Sequence, residues 1–240
     1  MTPTQLPAEL IYHIFSFLHR DTSALTACLR VHSSYSRIAE QHLYEDIVVQ
    51  LHNPPAVSGL YQRLFNNSCL LDYIHSLEIR SSSLAPSSIP SALPSIISII
   101  PQMTNLISLK LHNNPCSYED FLPTLLQQSS IEELYLYSFY EFPFSVLDKA
   151  KSIKKLVLAQ CTARATSIPL AISSDSDQTL RTVILCGHSN PDLLSWIMHR
   201  VSCLTSLALV HEPGDQQSTS LLNRSKLLRR LQLDVGYACK

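Results

Sequence analysis

The sequence predicts a mixed α/β fold, with a small N-terminal helical bundle followed by a curved solenoid built around a parallel sheet. Two observations predict it. A short aliphatic pattern recurs seven times from residue 74 onward with helix-like stretches between copies, and three short helices are predicted before residue 45. One strand with one return segment cannot bury itself, so stacked copies must share a core. We expect a helical domain over residues 1–45 and a repeat domain over residues 46–240.

The first predicted helix carries more apolar side chains than one neighbour can cover. Pro7 suits the first helical turn, and Glu9 lies near the positive end of the helix dipole. A surface helix needs only one apolar stripe. Here there are two adjacent stripes, Leu10, Ile14 and Leu18 in one and Ile11 and Phe15 in the other, with Phe17 beside them. The helix is therefore expected to contact its own bundle and a second partner. Alternatively, it lies between the bundle and the first repeat.

Two further helices and a strand are predicted next. Asp21 or Thr22 can cap a helix over residues 24–31, and Ser33 or Ser34 can cap a third helix. One side of that third helix is lined by Tyr35, Ile38, Ala39 and Leu43. The segment "DIVVQL" from Asp46 is predicted to be the first strand of the sheet.

Seven repeat copies follow, each aliphatic at its first, fourth and sixth positions. They are "IHSLEI" from Ile74, "LISLKL" from Leu106, "IEELYL" from Ile131, "IKKLVL" from Ile153, "LRTVIL" from Leu180, "LTSLAL" from Leu204 and "LRRLQL" from Leu228. Successive starts differ, by subtraction, by 32, 25, 22, 27, 24 and 24 residues. Positions four and six lie two apart, so they share one face of a strand. The clearest return helices are predicted over residues 117–128, 142–152 and 191–202.

These copies resemble leucine-rich repeats, whose pattern is L-x-x-L-x-L-x-x-N/C-x-L. Asn114 and Cys161 fill the Asn or Cys slot, which in the family satisfies backbone groups of the turn. The other copies carry Ser82, Phe139, His188, Glu212 and Gly236 there. The resemblance therefore implies an irregular leucine-rich-repeat-like solenoid.

The N-terminal region resembles an F-box. The matching positions are Leu6, Pro7, Glu9, Ile14, Leu18, Asp21, Leu25, Cys28, Val31 and Ile38, whereas His32, Ser33 and Tyr35 stand where the family usually has Cys, Arg and Trp. The resemblance implies a three-helix domain that docks on a Skp-type adaptor, and through it on a cullin. The residues it implies for adaptor binding are Leu6, Pro7, Leu10, Ile11, Ile14, Phe15, Leu18, Leu25 and Val31.

Positions five and seven of each copy are predicted to line the opposite, concave face of the sheet. In the middle copies these positions are aromatic or aliphatic, and exposed apolar surface often marks an interaction site. The candidate target-binding residues are Tyr135, Tyr137, Val157, Ala159, Ile184 and Val210. Alternatively, a loop or the C-terminal tail covers this groove, since parallel sheets are often covered on both faces.

Composition narrows the function classes. The formal net charge of −1 gives no general attraction to nucleic acid or to an acidic membrane. The seven cysteines include no C-x-x-C pair, which disfavours a disulfide framework and a cysteine zinc cage, so reduced thiols in the cytoplasm or nucleus are expected. We expect no metal site and no cofactor, because the common nucleotide, hydrolase and metalloprotease motifs are missing from the sequence.

Three functional interpretations follow. The first is a non-catalytic substrate-recognition subunit of an SCF-type cullin–RING ubiquitin ligase, with the F-box on the adaptor and the repeats on a target protein. The second is a leucine-rich-repeat scaffold with no ligase role, and the third is a hydrolase that uses a cysteine such as Cys186 near His188. The last repeat leaves only "DVGYACK" after it. A shortened chain, or a second chain covering that end, is therefore also expected.

Overall fold

A computed structural model gives the fold. The structure describes residues 7–19, 21–81, 93–112, 122–126, 130–140, 142, 146–147, 152–162, 180–187, 205–211 and 230–235. The helices are α1 (Ala8–Phe17), α2 (Thr22–Cys28), α3 (Ser33–Glu45), α4 (Pro54–Asn66) and α5 (Leu93–Ile99), with 3-10 helices at Ser68–Tyr73 and Ile100–Gln102. The strands are β1 (Asp46–Gln50), β2 (Ser76–Arg80), β3 (Ser108–His112), β4 (Glu133–Tyr137), β5 (Lys155–Ala159), β6 (Thr182–Cys186), β7 (Ser206–His211) and β8 (Arg230–Val235).

The three N-terminal helices form a small bundle with its own core. Pro7 precedes α1, and the Asp21 carboxylate caps α2 by accepting a hydrogen bond from the Ala24 amide at 2.9 Å. Four residues form the buried centre of this bundle, Ile11, Phe15, Leu25 and Ala39. The predicted side of α3 packs against that centre through Tyr35, Ile38 and Leu43. The three predicted helices are thus confirmed, with Asp21 as the cap of the second, which spans Thr22–Cys28 rather than residues 24–31. The predicted cap of the third is wrong, because α3 begins at Ser33 and both Ser33 and Ser34 lie within it.

One parallel sheet contains all eight strands in chain order, each paired with the next in sequence. The repeat positions stay in register across it: Leu77 pairs with Leu109, and the same row continues to Leu231 in β8. The predicted first strand at Asp46 joins the sheet beside β2. A mixed α/β fold with a parallel sheet is therefore confirmed.

The aliphatic positions of the repeats form the main core. In β2, β3, β4 and β6 the fourth and sixth positions are buried, and the positions between them are only partly buried or exposed. Every first position that the structure describes is also buried, namely Ile74, Leu106, Ile131, Ile153 and Leu180. The other face of the sheet carries the alternate side chains, and we call it the open face.

The turn after the strand takes the same unusual conformation in three successive copies. Ser138, Gln160 and Gly187 immediately follow β4, β5 and β6 and have φ angles of 58°, 54° and 86°. Their left-handed conformation turns the chain away from the sheet, and only glycine adopts it without a steric cost. The backbone ladder continues through this turn, because the Ser138 amide donates to the Ala159 carbonyl and the Gln160 amide donates to the Cys186 carbonyl.

The return segments are less regular than predicted. Within 117–128 the described helix covers only residues 122–126. Phe142 does not begin a helix, because its amide donates to the Thr162 carbonyl at 2.9 Å in an extended pairing, and residues 146–147 form a short helical turn. The segment 191–202 lies outside the described residues. Two helices without a sequence prediction, α4 and α5, pack against each other and contribute Val57, Leu64, Leu93, Ile96 and Ile99 to the main core.

Of the helices in the described part of the chain, none is both long enough and apolar enough to span a membrane.

Candidate protein-interaction surfaces

Helix α1 exposes a row of apolar side chains on the surface of the bundle. Leu10 and Ile14 are 50% and 51% exposed, and Phe17 is 75% exposed. At about 100° per residue, the three positions fall within roughly 60° of one another around the helix. We call these three residues the apolar stripe. A row of large apolar side chains in water loses the free energy of burial, so it is a natural contact for another protein.

The rest of the predicted adaptor-binding set is divided between surface and core. Pro7 is exposed and Val31 is 68% exposed, whereas Leu18 is half-buried against the bundle core. Leu6 lies outside the described residues. Ile11, Phe15 and Leu25 are 8%, 5% and 0% exposed. The prediction that these three residues bind the adaptor is therefore wrong. They fill the centre of the bundle, so a partner cannot bind them while the bundle stays folded.

The division explains why α1 is apolar on two sides. Ile11 and Phe15 lie next to each other on the helix and hold it to α2 and α3. Leu10 and Ile14 lie one residue earlier in each case, which places them beside that buried row on the outer surface of the helix. The sequence pattern alone does not decide whether the second apolar row of α1 contacts a partner protein or the first repeat. The exposure of the stripe means that none of the described residues covers it.

Stacked rings occupy the centre of the open face. His112 and Tyr137 lie face to face, with ring centroids 4.2 Å apart and an interplanar angle of 12°. Tyr135 and Tyr137 are nearly parallel at 6.5 Å. The Tyr135 hydroxyl donates to Glu133 and accepts from the Lys155 ammonium, both at 2.7 Å. These bonds fix the Tyr135 ring, so this part of the face is organised before any partner arrives.

Charges surround these rings. The ammonium groups of Lys110 and Lys155 lie 5.5 Å and 5.1 Å from the centroid of the Tyr135 ring, within the range of a cation–π contact. Burial raises the pKa of the Tyr135 phenol and Glu133 adds to this rise, while Lys155 opposes it. The hydrogen bond to Tyr135 also raises the pKa of Lys155, so the ammonium form is favoured.

A second charged group lies beside the rings on β2 and β3. Glu78 accepts a hydrogen bond from Arg80, and His112 Nε2 lies 2.8 Å from Glu78 Oε1, close enough for an ion pair when the imidazole is protonated. Burial lowers the pKa of His112, and the Glu78 charge opposes it without reversing the change. Burial alone would raise the pKa of Glu78. The hydrogen bond and charge of Arg80, together with the charges of His112 and Lys110, outweigh this effect, so the pKa of Glu78 lies below its ordinary value.

The aliphatic part of the predicted groove is not open. Val157 and Ala159 are each only 7% exposed, although they lie on the open face. Val157 is in register between Tyr135 and Ile184, and its shorter side chain lies between these larger neighbours. Tyr135, Tyr137 and Ile184 remain partly exposed. The side chain of Val210 lies outside the described residues, although its backbone pairs with Cys186. Around β3 and β4 the accessible part of this face is therefore mainly aromatic and charged, whereas Ile184 on β6 and Val48 on β1 are accessible aliphatic side chains.

Cys161 has a structural role. Its thiol is 3% exposed and donates to the Leu136 carbonyl at 3.3 Å, in the turn position at which the repeat pattern predicts such a bond. Burial raises the pKa of this thiol to about 11, which disfavours the thiolate needed for nucleophilic chemistry. His188, the proposed base for Cys186, lies outside the described residues. Across the described ranges, no group of three or more His, Cys, Asp or Glu side chains is arranged to hold a metal ion.

Comparisons with known proteins give no assignment. No family model matches the chain, and a search of curated proteins returned no match.

Proposed function

We propose that this chain is the substrate-recognition subunit of an SCF-type cullin–RING ubiquitin ligase. In this proposal the three N-terminal helices are an F-box that docks on a Skp-type adaptor, and the parallel sheet belongs to an irregular leucine-rich-repeat solenoid that holds the target. The chain carries out no chemistry of its own. It accelerates ubiquitin transfer by keeping target lysines close to the charged ubiquitin carrier.

The apolar stripe is the observation that carries this proposal. Leu10, Ile14 and Phe17 are half exposed or more, while the adjacent row of α1 forms the bundle core. A small helical domain gains little from exposing three large apolar side chains, unless another protein covers them. Pro7 and Val31, which are also exposed, extend the surface available to the adaptor.

The target is proposed to contact the open face around Tyr135 and Tyr137. Tyrosine is favoured at binding hot spots because it offers a large rigid ring with a polar end. The charged groups around these rings carry a formal net charge of +1, since there are three basic and two acidic groups and His112 is counted as neutral. They are Lys110, Lys155 and Arg80 and, of opposite sign, Glu78 and Glu133. A target segment with both aromatic and acidic side chains would therefore suit this face.

A purified adaptor provides the test of the first contact. The full chain and a Skp-type adaptor would be co-expressed, and the complex isolated by size exclusion with light scattering. We expect a one-to-one complex. Failure to form it with any Skp-type adaptor, with the free chain folded by circular dichroism, would contradict the ligase proposal.

One observation favours a second candidate, a repeat scaffold without a ligase role. Helix α3 ends at Glu45 and β1 begins at the next residue, and His75 beside β2 donates its amide to the Glu45 carbonyl. The bundle is thus joined closely to the first strands and would serve as an N-terminal cap of the solenoid. In that case the same co-expression yields free chain, and changes in the apolar stripe affect no partner.

A further inference from the structure

A cavity lies at the junction between the helical bundle and the first strands. Its volume is about 350 Å³, at the small end of the range of ligand pockets. We call it the junction cavity, and its walls include Tyr12, Glu45, Asp72, Tyr73, His75 and Asn105. These residues come from α1, α3, the 3-10 helix at Ser68–Tyr73 and the segments that lead into β2 and β3.

The walls are rich in hydrogen-bond acceptors. Two carboxylates, Glu45 and Asp72, line the cavity, and none of the described lining residues is a lysine or arginine. The Asn105 amide group donates to the Asp72 carbonyl at 2.7 Å, which leaves its own oxygen as an acceptor. His75 Nδ1 lies 2.8 Å from the Tyr73 carbonyl oxygen and donates a hydrogen bond to it.

The contacts that hold the two carboxylates involve no lysine or arginine. Asp72 accepts a hydrogen bond from the Thr104 hydroxyl at 3.0 Å, and Glu45 lies 3.2 Å from His42 Nδ1. His42 is itself 6% exposed, and its other nitrogen has no hydrogen-bond partner. No fixed cation of the described chain therefore neutralises both acids, and a ligand with positive charge and several N–H donors would complement them.

Two tyrosine rings narrow the class of cation. Tyr12 packs on His42 with ring centroids 4.7 Å apart, and Tyr73 lines the cavity from the 3-10 helix. Aromatic rings beside carboxylates favour an ammonium or guanidinium group, which carries donors and also attracts the ring faces. A metal ion fits less well, because the described residues contain no suitable group of three or more His, Cys, Asp or Glu ligands.

We propose that the junction cavity binds an organic cation through an ammonium or guanidinium group, with Glu45 and Asp72 as its charge partners. The site is separate from the proposed adaptor contact. At about 100° per residue, Tyr12 lies roughly 160° around α1 from both Leu10 and Ile14. The cavity and the apolar stripe therefore lie on different sides of α1, and the cation site does not depend on the proposed ligase function.

The test measures binding of defined cations to the full chain. Isothermal titration at low ionic strength would use spermidine, arginine and N-acetyl-lysine methylamide, with magnesium chloride at matched ionic strength as the inorganic comparison. Glu45→Gln and Asp72→Asn keep the acceptor oxygens but remove one charge each. Glu132→Gln removes a carboxylate outside the cavity that pairs with Lys154, and serves as the matched control.

We expect saturable binding of at least one organic cation, weakened about fivefold by Glu45→Gln and by Asp72→Asn, with Glu132→Gln unchanged. Preference for the lysine derivative would identify a side chain of another protein as the source, and preference for spermidine would identify a free amine; both support the site. The absence of saturable binding would overturn the proposal. Equal weakening in all three variants, or equal binding of magnesium, would overturn it too, because both indicate general surface charge. Unfolding temperatures of the variants exclude misfolding as the cause.

Discussion

The double substitution Ile14→Ser and Phe17→Ser tests the apolar stripe most sharply. Full burial of such a side chain is worth about 1.5–3 kcal/mol. Ile14 is 51% exposed and Phe17 is 75% exposed, so these fractions of the burial energy remain for a partner to gain. Together they amount to about 2–4 kcal/mol, which corresponds to a loss of about 30-fold to 1,000-fold in adaptor affinity.

The assay is titration calorimetry of the full chain against a Skp-type adaptor. The matched control is Phe65→Ser on α4, because Phe65 is 64% exposed and lies outside the bundle. We expect the control to bind like the unaltered chain. The double variant should lose about 1–2 kcal/mol of unfolding free energy, because about half of Ile14 and a quarter of Phe17 are already buried in the fold. An affinity within threefold of the unaltered chain would refute the reasoning, as would an equal loss in the control.

Three further predictions concern the sheet. Because burial lowers the pKa of His112 below its ordinary value of 6.5, its contribution to stability is complete above pH 6.5 and is lost as the pH falls through the folded pKa. An NMR titration of the folded chain should give a His112 pKa below 6.5, and Glu78→Gln should lower that pKa further because it removes the nearby negative charge. A His112 pKa of 6.5 or above in the folded chain would contradict this prediction. Cys161, with a pKa of about 11, should resist a thiol reagent at pH 8 until the chain unfolds, whereas exposed Cys69 should react at once; equal rates would contradict the assignment. Gly187→Ala should destabilise the fold by about 1 kcal/mol or more because φ is positive there, whereas Gly59→Ala within α4 should stabilise it by about 0.5–1 kcal/mol, as judged from urea unfolding; effects of equal sign would contradict both arguments.

The strands could be predicted because their spacing depends on a simple rule. Each strand from β2 to β8 begins at the third residue of its predicted repeat copy and ends one or two residues beyond that copy, and β1 falls within "DIVVQL". Alternation of buried and open positions follows directly from strand geometry. The return segments obey no such rule, because any element that covers the core face is acceptable. Helix α4 begins at Pro54 and has Asn53 as its cap, and both residues are helix-start signals that the sequence itself carries.

The surfaces were less predictable than the fold. Two apolar rows on α1 were visible, but only packing shows that Ile11 and Phe15 are the inner row. The burial of Val157 depends on the size of its neighbours on β4 and β6, which becomes known only with the register. The junction cavity had no local pattern, because its walls come from residues as far apart as Tyr12 and Asn105.

Side-chain footprinting of α1 tests the central claim most directly. Carbene labelling followed by mass spectrometry would compare the free chain with the chain mixed with a Skp-type adaptor. We predict that Leu10, Ile14 and Phe17 are labelled in the free chain and protected in the mixture, while Phe65 is labelled equally in both. Protection of the three stripe residues in the free chain, or unchanged labelling on adding the adaptor, would contradict the account.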